Sequence, residues 1–248
     1  MSEFKLPTEI VELPSKGILY PEDSELAKGV IEMKYMTARE EDILTNQNYI
    51  KNGTVLDKLM KSLIVSKINY DDLLIGDKNA IMIAARVLGY GPNYSFEVND
   101  EEHTVNLSTL DNKPLNEELF SSGVNEFSFT LPKSQYLITF KLLTHKDEQD
   151  ISREIEGLKK LNKDNSPELS TRLKYLIVSV NGERDKKIIR EFVDNYLLAS
   201  DSRALREYIK EIQPDVDLTF FPSDSETRVN IPIGLKFFWP DLWFSSYS

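Results

Sequence analysis

The sequence predicts an α+β protein in which helices are combined with small antiparallel sheets. Three observations predict it. Apolar residues recur at helical spacing in several segments, Val55, Leu56, Leu59, Met60, Leu63 and Ile64 among them. Short alternating runs flank polar tips at 94–107 and again at 217–233, which is the layout of a hairpin. Proline and glycine punctuate the chain between these runs, so that no single period dominates.

Taken in order, residues 4–36 read as extended and turn-rich, because Pro7, Pro14, Gly17, Pro21 and Gly29 break any helix. Gly29 to Met36 alternates apolar and polar as a half-buried strand does. Thr37 and Glu40 form a capping box that opens a helix continuing to Asn52, with Gly53 as its stop. Thr54 caps a second helix, and Asp71-Asp72 marks a short turn. A third helix begins near Asp77, carries Ile81, Ala84, Ala85 and Leu88, and ends at Gly89 and Gly91-Pro92.

The middle of the chain is β-rich. Tyr94–Val98 and Thr104–Leu107 enclose the tip Asn99–His103, and Asn125–Pro132 with Tyr136–Leu143 form a second strand pair. Thr144 to Asp147 supplies capping groups for a helix from about Asp147 to Leu161. The polar stretch Asn162–Ser166 with Pro167 is the clearest interior break, dividing the chain into 1–161 and 168–248.

The second half is predicted to be mainly helical. A helix runs from Glu168 towards Val180, with Ile177–Val180 open to an extended reading. Asn181-Gly182 is a turn, and further helices cover Asp185–Leu198 and Ser202–Ile212. Asp217–Phe221, the tip Pro222–Glu226 and Arg228–Ile233 then repeat the first hairpin's plan; Arg228-Val-Asn-Ile231 matches Thr104-Val-Asn-Leu107.

Composition narrows the chemistry. With no cysteine the chain forms no disulfide or thiolate centre, and two histidines, His103 and His145, do not make up a usual zinc ligand set. No EF-hand spacing is present, so no metal and no cofactor is expected. The net charge of −11 disfavours nonspecific nucleic-acid binding, which depends on neutralising phosphates. The pairs Lys159-Lys160 and Lys186-Lys187 read as solvated helix faces. No apolar run reaches membrane-spanning length and the N-terminus does not resemble a secretory signal, which points to a cytoplasmic location.

No catalytic residues emerge. There is no phosphate-binding Walker motif, nucleophile elbow or His-Glu-x-x-His sequence. Gly89-Tyr-Gly-Pro92 follows a helix, whereas phosphate cradles precede one. Glu40, Glu41 and Asp42 fit the helix-dipole preference for acids in a first turn. Arg39 stands out instead as a fork able to hold a carboxylate across an interface. The last segment, Lys236 to Ser248, concentrates Phe237, Phe238, Trp239, Trp243, Phe244 and Tyr247. Such a run either covers its own core or grips another subunit. The reading that joins both turns Phe237 and Phe238 inward and leaves at least Trp243 and Phe244 for a partner.

The order of Leu13-Pro-Ser-Lys-Gly-Ile-Leu-Tyr-Pro21, Met36-Thr-Ala-Arg-Glu-Glu-Asp-Ile-Leu44 and Gly76 to Pro92 resembles the baseplate hub and hub-assembly proteins of T-even-like contractile-tailed bacteriophages. Phe127 to Lys133, Asn230 to Ile233 and Phe237 to Pro240 extend the resemblance over most of the chain. It implies a non-enzymatic subunit or assembly chaperone, acting through contacts with other hub or tail proteins in the host cytoplasm or in the virion baseplate. It also implies that the two hairpins are zinc-ribbon-like. Related sequences carry cysteine pairs at such tips, and here Asn99–His103 and Pro222–Glu226 have none. The rival readings are an adaptor for tail tube or tape-measure protein, and a ribbon-type nucleic-acid-binding module. The acidic balance opposes the latter.

Overall fold

The computed structural model describes residues 6–98, 100–161, 167–221 and 228–238. They form a mixed α+β fold of helices and small antiparallel sheets. Strand β1 (Thr8–Glu12) pairs antiparallel with β2 (Val30–Lys34), with Ile10 opposite Glu32. The connection between them folds back on itself so tightly that a Cβ on Gly17 would lie 2.4 Å from the Ala27 carbonyl oxygen. Gly17 also has φ +79°, a conformation that side chains disfavour.

The helix expected from Thr37 to Asn52 is two helices, α1 (Ala38–Leu44) and α2 (Gln47–Lys51). The cause is Asn46, whose side-chain oxygen accepts from the amides of Asn48 and Tyr49 and so caps a new helix. Helix α3 (Val55–Leu63) buries Val55, Leu59, Met60 and Leu63 on one face. Helix α4 (Ile75–Tyr90) starts before Asp77 and runs through Gly89, ending only where Gly91 turns to φ +83°. Gly76 lies in its first turn. A Cβ there would meet the Pro214 carbonyl oxygen at 1.8 Å, so only glycine lets the C-terminal segment pass this close.

The first hairpin is β3 (Asn93–Val98) with β4 (Glu101–Asn106), so Glu101, Glu102 and His103, expected in the tip, instead extend the strand and pair with Val98, Glu97 and Phe96. Strands β5 (Phe127–Thr130) and β6 (Leu137–Phe140) pair as expected. Helix α5 (His145–Leu161) begins two residues earlier than its capping aspartate suggested, with Thr144 donating its amide and hydroxyl to Asp147, each at 3.0 Å. Helix α6 (Glu168–Leu176) stops short of Val180, because Ile177–Val180 is strand β7, hydrogen-bonded to β6. That sheet takes strands from both sides of the 162–167 break.

Helix α7 (Lys186–Asn195) is capped by Asp185, and α8 (Ala199–Ile212) begins three residues before the expected Ser202. Asp201 on α8 accepts from the amides of Lys133 at 2.8 Å and Ser134 at 2.9 Å, fastening α8 to the β5–β6 turn. The second hairpin, β8 (Thr219–Phe220) with β9 (Val229–Asn230), closes like the first. The amide after each terminal asparagine bonds back across the pair, Leu107 to Pro92 and Ile231 to Leu218. The two hairpins meet through Phe96 and Phe220, whose rings lie edge-on at 5.4 Å, with His103 also 5.4 Å from Phe220.

One hydrophobic cluster spans the described residues, from Leu13 to Phe238. Phe140, Phe237 and Phe238 are among its largest fully buried side chains. Each such ring contributes on the order of 2–3 kcal/mol by leaving water.

Candidate interaction surface

Two of the segments that carried the family resemblance meet in space. The amide and hydroxyl of Ser15 donate to Asp77 at 2.9 and 2.6 Å, and the Tyr20 hydroxyl donates to it at 2.5 Å. Tyr20 in turn accepts from the Leu74 amide at 2.9 Å. The segment from Leu13 to Pro21 thus wraps the start of α4. Burial pushes the Asp77 carboxyl above its ordinary range, against the pull of the Ser15 and Tyr20 hydrogen bonds. Burial and the neighbouring Asp77 likewise push the Tyr20 phenol upward.

A second polar cluster joins α3, α4 and α5. Asp57 accepts from Lys78 at 3.0 Å and lies 3.2 Å from Nε2 of His145. The Lys78 ammonium is 3.0 Å from His145 Nδ1. An ammonium only donates, so Nδ1 is the acceptor of that contact, and Nε2 is the nitrogen that faces Asp57. The Gln149 side-chain amide lies 2.9 Å from that same nitrogen, and the Tyr70 ring packs edge-on against the imidazole at 4.7 Å. Burial would raise the Asp57 carboxyl, but the His145 bond and the Lys78 charge outweigh it and hold it below its ordinary value. His145 is only 3% exposed and its two ring nitrogens are engaged, so the cluster acts as a lock between helices.

Glu40, read in sequence as the capping-box partner of Thr37 and a first-turn acid, is fully buried. It accepts from the Thr37 amide and hydroxyl, from Lys34 at 2.8 Å and from Ser62 at 2.7 Å. Burial alone would raise its carboxyl; those four bonds win and bring it down to about 2.

The expected contact residues separate into three groups. Arg39 is exposed on α1 and makes no ion pair among the described residues. Phe237 and Phe238 are 1% and 0% exposed; Phe237 packs edge-on against Tyr94 at 4.7 Å, so both rings face this chain's own core. Trp239, Trp243, Phe244 and Tyr247 lie outside the described residues.

A surface that sequence reading missed lies between α6 and α8. It is a groove of about 430 Å³ whose floor includes Leu143, Leu173, Leu176 and Ile209. Around it stand Lys113, Arg172, Arg206 and Lys210. Arg172 pairs with both oxygens of Glu148, and Lys113 reaches Asp215 at 3.5 Å. Arg206 donates only to the Ser202 carbonyl of its own helix, and neither it nor Lys210 has an acidic partner among the described residues. The available signal was the i, i+4 spacing of Arg206 and Lys210 around Ile209, which adjacent-residue pairs such as Lys186-Lys187 do not share.

Among the described residues no group of three or more His, Cys, Asp or Glu side chains is placed to hold a metal, and no helix is long and apolar enough to cross a membrane. No protein-family model, curated protein or solved structure matches the chain.

Proposed function

We propose that this protein is a non-enzymatic baseplate hub subunit or hub-assembly chaperone of a contractile-tailed bacteriophage, working through protein–protein contacts. The observation that carries the contact role is the placing of Arg206 and Lys210, two exposed cations without an acidic partner among the described residues, beside an apolar groove on a chain of net charge −11, with Arg39 exposed and likewise without an ion pair on α1. Unpaired cations beside an apolar floor suit an acidic segment of another protein. The resemblance of the ordered segments supplies the assembly, and the meeting of two of those segments at Asp77 supports reading them as one structural signature. The protein acts in the host cytoplasm during assembly and, if a subunit, stays in the baseplate.

The hairpin pair is read as a ribbon-like unit in which ring packing among Phe96, His103 and Phe220 takes the place of a metal. Metal analysis of purified protein is expected to find no stoichiometric zinc, and finding it would remove that reading.

The test is co-expression with candidate hub proteins, followed by size analysis. Wild type is expected to co-elute with a hub component. The double variant Arg206→Glu, Lys210→Glu is expected to weaken that complex at least tenfold, and a chain truncated after Pro240 to weaken it further through loss of Trp243 and Phe244. Failure of every hub protein to co-elute sinks the assignment. Mass spectrometry of purified virions separates subunit from chaperone, since a chaperone is absent from mature particles.

A further inference from the structure

Among the described residues the β1–β2 sheet has two strands, and no strand pairs with the edge of β1 that faces away from β2. The register shows which groups lie there. Leu13 donates its amide to Gly29 and Tyr35 donates to Pro7, which makes these hydrogen-bonded pairs of the antiparallel ladder. Alternation then assigns Glu9 and Val11 to the ladder and turns the amides and carbonyls of Thr8, Ile10 and Glu12 outward. Edges of this kind are ordinarily blunted by a bulge, a lysine or a covering element. Here the pairing runs through five residues without a register shift, β1 carries no lysine, and the Ile10 side chain is 64% exposed.

Beside that edge runs an apolar groove of about 320 Å³, formed by Val11 together with Ala80, Ile83, Ala84, Val87 and Leu88 of α4. The two alanines keep it open. Glu9 and Glu12 border it, and neither has a cationic partner among the described residues; Glu9 accepts only from the Tyr35 hydroxyl, at 3.1 Å.

We propose that β1 and the α4 groove together form a strand-addition site for an extended segment of another protein, one with apolar side chains at alternate positions and lysine or arginine between them. The outward groups of Thr8, Ile10 and Glu12 bond its main chain. Its inward side chains enter the groove over Ala80 and Ala84, beside Glu9 on the same face as Val11, and its cations meet Glu12 on the opposite face. Main-chain bonds supply affinity in this mode, while the pockets and charges select the sequence. This site is separate from the α6–α8 groove and does not depend on which assembly the protein joins.

The test uses full-length protein and a short fluorescein-labelled peptide in which valines alternate with lysine and threonine, read by anisotropy. Ile10→Pro removes only an outward amide, leaving the β2 ladder its donors, and is expected to weaken binding more than tenfold. Ala84→Glu fills the groove with an acid and gives a second route to the same loss if the proline variant does not fold. Glu9→Gln with Glu12→Gln is expected to weaken binding about threefold to tenfold and to flatten its salt dependence. A peptide with glutamates for lysines is expected not to bind. Absence of saturable binding by the valine–lysine peptide, or equal binding by wild type and Ala84→Glu, overturns the proposal. So does concentration-dependent self-association that Ile10→Pro abolishes, because the occupant is then a second copy of this chain.

Discussion

Asp57 and Asp77 are both withdrawn from water and both tie remote parts of the chain together, yet their carboxyl groups move in opposite directions. Asp77 is surrounded by neutral donors from Ser15 and Tyr20, and burial prevails. Asp57 faces an ammonium and an imidazole, and these prevail over burial. At Asp77 the hydrogen bonds from neutral groups do not outweigh burial, whereas at the less deeply buried Asp57 the close ammonium and imidazole do. The Asp77 joint should therefore tolerate a neutral replacement that the Asp57 joint does not.

The largest effect is expected beside Asp77, from Gly76→Ala. The added carbon must displace the Pro214 backbone, and urea unfolding should show a loss of about 3 kcal/mol or more. Asp57→Asn comes next, at about 2–3 kcal/mol at neutral pH, because Lys78 loses its carboxylate. The advantage of wild type over this variant is present above the ordinary carboxyl value of 3.8 and is lost as pH falls below it, since the folded-state value is depressed.

Glu40→Gln sharpens the same contrast with a measurable window. The wild-type advantage, about 2 kcal/mol at neutral pH, should disappear as pH falls from 4.5 to about 2 in thermal melts across that range. Asp77→Asn should cost only about 1 kcal/mol at neutral pH, with the opposite trend. Its folded-state value is raised, so the wild-type advantage is greatest below 3.8 and shrinks as pH rises above it. Equal losses and the same pH trend for the two asparagine variants would break the comparison. Arg39→Ala should change stability by less than about 0.5 kcal/mol, which makes it a clean probe of partner binding.

What the sequence made legible was local. Thr37 with Glu40 and Thr144 with Asp147 both read as capping groups because donor and acceptor lie within a few residues of each other. The paired strands and both hairpins were legible for the same reason. The division of the 37–52 segment escaped because Asn46 reads as an ordinary polar helix residue until its oxygen is seen on two amides. The extended reading left open for Ile177–Val180 is the one that holds, because β6 offers these β-branched residues an edge to pair with. The two joints were invisible altogether: Ser15 and Tyr20 reach Asp77 across 62 and 57 residues, and Lys78 reaches His145 across 67. The α6–α8 groove depends on two helices and the loops near Lys113, so only part of its charge pattern could be seen in advance.

The passage of Pro214 over Gly76 also bears on how the molecule is made. A nascent chain leaving the ribosome presents α4 long before the segment that closes over its first turn has been synthesised. The early-made portion must wait with that turn uncovered until the segment around Pro214 has been made.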